Sequence, residues 1–352
     1  MEKIKVGIIG AGTVSDIHLK SYSQCPLAEI YAICDINRDR VLDKAKQYKI
    51  SKLYTDYKKM LEDENIDAVS ICVWNNLHAD ITIAALNAGK HVLVEKPPSI
   101  NVNDAKRMEE AVTDGSKILH VGFVLRHAIH TRTLKKFINQ GELGDIYFAK
   151  ASWLKRSGNP GGWFAHKNRS GGGPLIDLGI HMIDICWYLM GKPKVKAVTG
   201  HTYRKLGHRS NIKQRNYSSV DYDHVKNDVE DLANALITFE NGASLLVDVS
   251  FSLHTKQDQL IAVQLFGDKG GAELQPDFTI VSEKYDTILS IQPDLNEKLF
   301  DFDQAFRDEI AHFVNCCIDS KKTITPIKDG VEIMKILCGI YESSETGKQI
   351  IF

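Results

Sequence analysis

Residues 171–191 read GGGPLIDLGIHMIDICWYLMG, a greasy run that nonetheless holds Asp177, His181 and Asp184. An imidazole titrates near neutral pH, so His181 is suited to take a hydroxyl proton while a hydride leaves the same carbon. Asp177, one helical turn earlier, can orient that imidazole or bind a substrate hydroxyl directly. Pro174 suits a first helical turn, and Leu175, Leu178, Met182, Ile185 and Leu189 recur at helical spacing. The segment is therefore predicted as a helix entered from a glycine-rich loop, with Asp177, His181 and Asp184 on one stripe. The competing reading is an internal Asp–His pair that only steadies the helix; three glycines upstream favour close approach of a ligand instead. Asp184 divides evenly between helix support and substrate contact. A second candidate is Lys96 in Glu95-Lys96-Pro97-Pro98. It reads either as a surface lysine on a proline-stiffened turn or as an ammonium that stabilises charge developing on a reacting oxygen.

These groups need elements to hold them. KIKVGIIGAG, AEIYAICD, DAVSICVW, KHVLVEKP and KILHVGFV are near-continuous apolar runs separated by helix-period stretches, one of which ends on Gly89 as a helix C-terminus should. That alternation predicts a parallel, doubly wound α/β sheet. Directly after the first strand comes Gly10-Ala11-Gly12-Thr13-Val14-Ser15, opening a helix. Glycines there let a backbone approach a pyrophosphate, and the helix N-terminus offers unpaired N–H groups to it. The second strand ends in Asp35, where a carboxylate can accept both hydroxyls of an adenosine ribose, with Ile36 and Arg38 following. A dinucleotide is thus expected on Gly10, Gly12, Thr13, Val14, Asp35, Ile36 and Arg38. Asp35 repels a 2'-phosphate and favours NAD over NADP, although Arg38 and Arg40 pull the other way. Ligands of open parallel sheets collect beyond the carboxyl ends of the strands, which adds Trp74, Asn75, His78, Glu95 and Lys96 to the cofactor residues.

Beyond the catalytic segment, KVKAVTGHTYR, LANALITFEN, GASLLVDVSF and QLIAVQLFGD are strand-like and joined by hairpin-type turns, which fits an antiparallel sheet. Arg126, Arg156 and Trp163, with Trp153, Asn159 and His127, are candidates for the wall of a substrate site. The polar stretch Arg204 to Asp231 reads as a solvated insertion ahead of a lid or an oligomer contact. At 352 residues the chain exceeds one typical core, and two domains are expected, 1–122 and 123–352, with the C-terminal helix packing back on the first. A net charge of -1 gives no field to recruit nucleic acid or an anionic membrane. The absence of a leader or a long apolar run leads to a cytoplasmic expectation. Seven scattered cysteines without a CxxC pair argue against disulfides and against zinc, so no metal is expected.

The order glycine loop, Asp35, Asn75-x-x-His78, Glu95-Lys96-Pro97 and Gly171-Gly172-Gly173-x-Leu175-x-Asp177-x-Gly179-x-His181-x-x-Asp184 resembles the glucose-fructose oxidoreductase and inositol dehydrogenase family, Gfo/Idh/MocA. The resemblance runs the whole chain; Ser15 in the glycine loop and Trp74 after the third strand depart from the family's pattern. It implies an α/β Rossmann N-terminal domain that binds NAD(P), and an α+β C-terminal domain whose open, mostly antiparallel sheet closes over a sugar or cyclitol. It also implies a catalytic set of Lys96, Asp177 and His181, and a homodimer or homotetramer. The expected activity is NAD-dependent oxidation of a secondary alcohol of a sugar, sugar derivative or cyclitol. The alternatives are an NAD-dependent glycosidase working by transient oxidation and elimination, and a non-catalytic NAD-bound sensor or scaffold.

Overall fold

The computed structural model describes residues 3–112, 117–209, 211, 225–295 and 301–352. The chain divides into two units, Met1–Ala128 with Asp301–Val331, and Ile129–Phe300 with Glu332–Phe352.

The first unit is a six-stranded parallel sheet. Its strands are β1 (Ile4–Ile9), β2 (Ala28–Cys34), β3 (Lys52–Tyr54), β4 (Ala68–Ile71), β5 (His91–Glu95) and β6 (Leu119–Gly122), in the order β3-β2-β1-β4-β5-β6. All pairings are parallel. This is the doubly wound order whose switch point lies between β1 and β4, where ligands of such sheets bind. Strand β3 is only three residues long and too short to carry a hydrophobic pattern of its own. Helices α1 (Thr13–Ser23), α2 (Arg38–Tyr48), α3 (Tyr57–Leu61), α4 (His78–Asn87) and α5 (Val102–Glu110) are the crossovers. The side chains of Asn37 and Asn101 cap α2 and α5 by accepting backbone N–H groups. Gly89, at φ +74°, ends the turn after α4.

The core of this unit joins Val6, Ile8 and Ile33 of the sheet and Leu19 and Tyr22 of α1 to Ile310, Phe313 and Val314. The last three come from a helix nearly three hundred residues away in sequence, Phe302–Asp319. The first unit therefore reaches past residue 122 to Ala128 and takes Asp301–Val331 as well, a division that no composition shift marks in the sequence.

The second unit is built on a nine-stranded sheet. After α6 (Ile129–Asn139) come β7 (Ile146–Lys155), the single-turn helix α7 (Lys167–Ser170), α8 (Ile180–Leu189), β8 (Val195–Tyr203), β9 (Leu232–Phe239), β10 (Ser244–Ser250), β11 (Gln259–Gly267), β12 (Gly270–Gln275), β13 (Thr279–Lys284) and β14 (Thr287–Ile291). The helix Phe302–Asp319 is α9, Ile327–Thr346 is α10, and Ile350–Ile351 is the edge strand β15. The sheet order is β14-β13-β12-β11-β7-β10-β9-β8-β15, with only β7 and β10 parallel. Alternation sets its two faces. Ala149, Ala151, Trp153, Leu245, Val247 and Val249 point into the core, while Leu236, Leu246 and Phe266 stay exposed on the other face. Much of the predicted insertion, including Lys213, Arg215, Asp221 and Asp223, lies outside the described residues.

Candidate functional site

The cofactor end of the first unit starts at Gly10. Its φ is +102°, and a Cβ there would lie 2.2 Å from the Cys72 carbonyl oxygen, so only glycine fits the turn. Gly12 differs: a Cβ there would meet no protein atom within 4 Å. It stands at the N-cap of α1, where no side chain caps the helix. Open space beside exposed amides and the positive end of a helix fits a pyrophosphate. Ser15, the departure from the glycine pattern, is buried and turns its hydroxyl back to the Gly12 carbonyl at 2.6 Å, leaving that space clear.

Asp35 follows β2. Its two carboxylate oxygens accept the Ala11 and Asn37 amides, each at 2.7 Å, which fixes the plane of the group. Each oxygen keeps a lone pair for a ribose hydroxyl. The neighbouring Ile36 is 89% exposed, an apolar surface for an adenine ring next to the ribose position. These residues fit NAD. Arg38 is exposed at the start of α2.

The loops after β4 and β5 are joined by His78. Its Nδ1 lies 2.7 Å from the Pro97 carbonyl and its Nε2 3.1 Å from the Val73 carbonyl, with the ring fully buried. Burial depresses its pKa, opposed by these two bonds. His78, expected at the cofactor, ties these two loops together. Glu95, expected beside it, is likewise engaged within the protein. It is buried, and its Oε1 sits 2.7 Å from His18 Nε2 while Oε2 accepts the Lys96 amide at 3.2 Å. Burial alone lowers the pKa of the His18 imidazole, but Cys72 and the Glu95 carboxylate outweigh it and hold it well above the usual value. Burial likewise raises Glu95, and the cations His18 and Lys96 reverse that and lower it. A buried ion pair thus holds the backbone from which the half-buried Lys96 projects. Trp74 and Asn75 form the turn after β4, Trp74 partly exposed and Asn75 buried.

In the second unit the predicted helix is present with one change. Leu175–Gly179 is a π-helical turn, and the α-helix begins at Ile180. Asp177 and His181 are therefore offset by wider winding than α-helical spacing assumes, and π turns recur at functional sites. From Leu175 to Trp187 every residue is buried except Asp177, which is half-buried; His181 keeps 7% of its surface. The His181 ring lies 5.8 Å from the Trp153 ring, over which the Lys155 ammonium sits at 5.6 Å. Asp184 is buried inside the helix packing.

Sequence reasoning missed the group that sets this segment. Glu230 is buried and accepts the Gly173 amide at 2.9 Å, the Leu175 amide at 3.1 Å and the Tyr341 hydroxyl at 2.9 Å. Burial raises its pKa against the pull of those donors. It caps the N-terminus of the π turn from a strand approach 57 residues away, and no local signal could have shown it. The glycines explain themselves here. A Cβ on Gly172 would lie 2.0 Å from the Tyr341 hydroxyl, and one on Gly173 2.3 Å from the Glu230 carbonyl oxygen. At these two positions the glycines admit protein, where a ligand was expected.

The remaining substrate-wall candidates separate. Trp163 is half-buried and stacks on Phe164 at 3.9 Å between ring centroids. Arg156 pairs with Asp258 at 3.0 Å, and its Nε donates to the Thr255 carbonyl. Asn159 accepts the Gly161 amide within its own turn. Arg126, expected at the substrate wall, is fully buried in the first unit, bound to Asp329 at 2.5 Å and to the Ile324 carbonyl at 2.7 Å. His127 is buried near Glu309 in the first unit.

Comparison with known proteins agrees with this anatomy. Residues 4–123 match the oxidoreductase family with an NAD-binding Rossmann fold, and residues 131–273 match the GFO/IDH/MocA C-terminal domain. The chain is 32% identical to D-glucoside 3-dehydrogenase of Escherichia coli (strain K12), over 99% of this chain and 97% of the relative. It is 28% identical to scyllo-inositol 2-dehydrogenase (NAD(+)) of Bacillus subtilis (strain 168), over 94% and 90%. The fold is also that of levoglucosan dehydrogenase solved with NADH and levoglucosan, with a TM-score of 0.85 at 23% identity and 99% coverage of both chains. Among the described residues no helix is long and apolar enough to cross a membrane. Its glycine loop, Asp35 and two-part architecture thus have a common origin: the chain belongs to the Gfo/Idh/MocA family of oxidoreductases and carries that family's NAD-binding Rossmann domain.

Proposed function

We propose that the protein oxidises a secondary alcohol of a sugar, glucoside or cyclitol, with His181 as the proton acceptor. NAD, when bound, takes the hydride. His181 carries the proton chemistry because it is the imidazole of this segment, beside the Trp153 ring and one turn from the half-buried Asp177, and an imidazole suits a hydroxyl proton. Asp177 aligns the imidazole or binds a second hydroxyl, and the Trp153 ring offers the apolar face that a pyranose or cyclitol C–H surface packs against. Lys96, set by the His18–Glu95 pair, lowers the cost of negative charge on the reacting oxygen. The observation that supports this reading above the others is the segment Leu175–Trp187, buried throughout apart from Asp177, with the His181 imidazole one turn on. The relatives' names, a glucoside and an inositol dehydrogenase, support the same substrate class. The exposed apolar row Leu236, Leu246 and Phe266 on the outer sheet face supports a homo-oligomer.

The test is NADH formation on a panel of glucosides, free aldoses, anhydrosugars and inositols, with NAD and NADP side by side. His181→Ala and Lys96→Met should each lower kcat by ~10²- to 10⁴-fold, the range for a lost acid–base group, with the Kd for NAD nearly unchanged. No net NADH on any polyol, with NAD tightly held, would reject the dehydrogenase reading.

A further inference from the structure

The first unit contains a second cluster of ligand-type side chains that the proposed oxidation does not use. His120 on β6, His127 in the 3-10 turn Val124–His127 and Glu309 on α9 are all buried, and one donor atom from each lies within 4.8 Å of the others. From the geometry we infer that His120, His127 and Glu309 form a structural site for a divalent transition-metal ion, zinc by donor type. All three ligands belong to one unit, so the inference is independent of the substrate chemistry proposed above.

The direct hydrogen bond between His120 and Glu309 is a long one, and the spacing of the set suits a shared ion. His120 Nε2 lies 3.4 Å from Glu309 Oε1, and His127 Nε2 lies 4.0 Å from the same oxygen. Both separations exceed the usual N–H···O range of about 2.7–3.2 Å. Zinc bonds to nitrogen and oxygen near 2.0–2.1 Å in a tetrahedron place neighbouring ligand atoms about 3.4 Å apart. Of the three edges, His120–Glu309 already has that length, His127–Glu309 is 4.0 Å, and all three atoms lie within 4.8 Å of one another, so an ion would draw the His127 ring inward. The orientation of His120 is set from behind, because its Nδ1 lies 2.7 Å from Thr323 Oγ1. An outer nitrogen held by a hydroxyl while the inner one faces the ion is the usual support for a metal-bound histidine. A fourth protein ligand from the adjacent His312 is not offered by its Nε2, which accepts the Ile324 amide at 3.2 Å. The nearby Arg126 charge is matched by Asp329. Two nitrogens and one carboxylate suit zinc better than calcium or magnesium, which take mainly oxygen.

Such an ion would tie β6 and its following turn to α9, which enters the first unit from 189 residues further along the chain. The site was not legible in the sequence because its ligands share no short motif.

The full chain, with any affinity tag removed, is purified without chelator and analysed by elemental mass spectrometry. About one equivalent of zinc per chain is expected, lost in Glu309→Gln. Cobalt(II) added to chelated wild-type protein should give four- or five-coordinate ligand-field bands without thiolate charge transfer, and zinc alone should raise its Tm. The wild-type cobalt spectrum and Tm shift stand as a readout separate from the folding of Glu309→Gln. The inference is overturned if wild-type protein that binds NAD takes up no zinc and shows no Tm shift with it. It is equally overturned if cobalt gives thiolate bands, which would place the metal on cysteine.

Discussion

Replacing Glu230 by alanine isolates the contribution of its carboxylate to the segment that carries His181. The carboxylate accepts two backbone amides and one phenol, all in the buried interior of the second unit. At about 1 kcal/mol net for each such bond, and with no space for bulk water to replace the acceptor, the loss is about 3 kcal/mol. In a unit of about two hundred residues each kcal/mol moves the midpoint by roughly 2–4 °C, so this unit should melt roughly 6–12 °C lower. The freed Gly173 and Leu175 amides lie at the start of the π turn, four and two residues before Asp177, so the turn should rewind towards an α-helix and rotate that carboxylate. A misplacement of this kind costs ~10²-fold in turnover when positioning is what is lost. The Kd for NAD, a property of the first unit, should not move. The assay pairs calorimetry with kcat and NAD binding on one preparation. Wild-type melting of the second unit together with wild-type kcat in Glu230→Ala would refute the argument that this cap sets the site.

Gly12→Ala should fold normally, since its Cβ meets no protein atom, yet weaken NAD at least tenfold by filling the space assigned to the pyrophosphate; isothermal titration measures it. Gly10→Ala should instead lower the Tm of the first unit, because its φ of +102° and the Cys72 carbonyl both oppose a side chain. For the His18–Glu95 pair the sign is definite. The raised His18 contributes stability that is complete below its unfolded value of about 6.5 and fades as pH climbs through the higher folded value. The lowered Glu95 contributes above about 4.5 and fades as pH falls through its folded value. Denaturant melts of wild type and His18→Gln should therefore differ most between about pH 4.5 and 6.5 and converge at alkaline pH.

The parallel sheet was legible because buried strands read as unbroken apolar runs, and the glycine loop because its position after β1 has few alternatives. Strand β3 was not, since three residues cannot show a period. The return of α9 to the first unit was hidden for a different reason. Val6 and Phe313 are in one core, yet nothing in either segment names the other, and contacts of that sequence separation are written only in shape.

The candidate site shows the same limit at the scale of single side chains. Asp177 and His181 stood out because polar groups on a greasy helix demand a reason. Arg126, Glu95 and His78 stand out in the same way, and each has a partner inside the protein: Arg126 meets Asp329, Glu95 meets His18, and His78 meets two carbonyls. Charge and ring chemistry alone do not separate a group aimed at a ligand from one satisfied by its own fold; only the identity of the partner does. Glu230 is the converse case. It sits in a run of acids that reads as solvated surface, yet it is buried because Gly173 leaves room for its backbone, Gly172 leaves room for the Tyr341 hydroxyl that binds it, and two amides require an acceptor. Gly172, Gly173 and the carboxylate of residue 230 are thus halves of one device, and the π turn that offsets Asp177 from His181 begins where they meet.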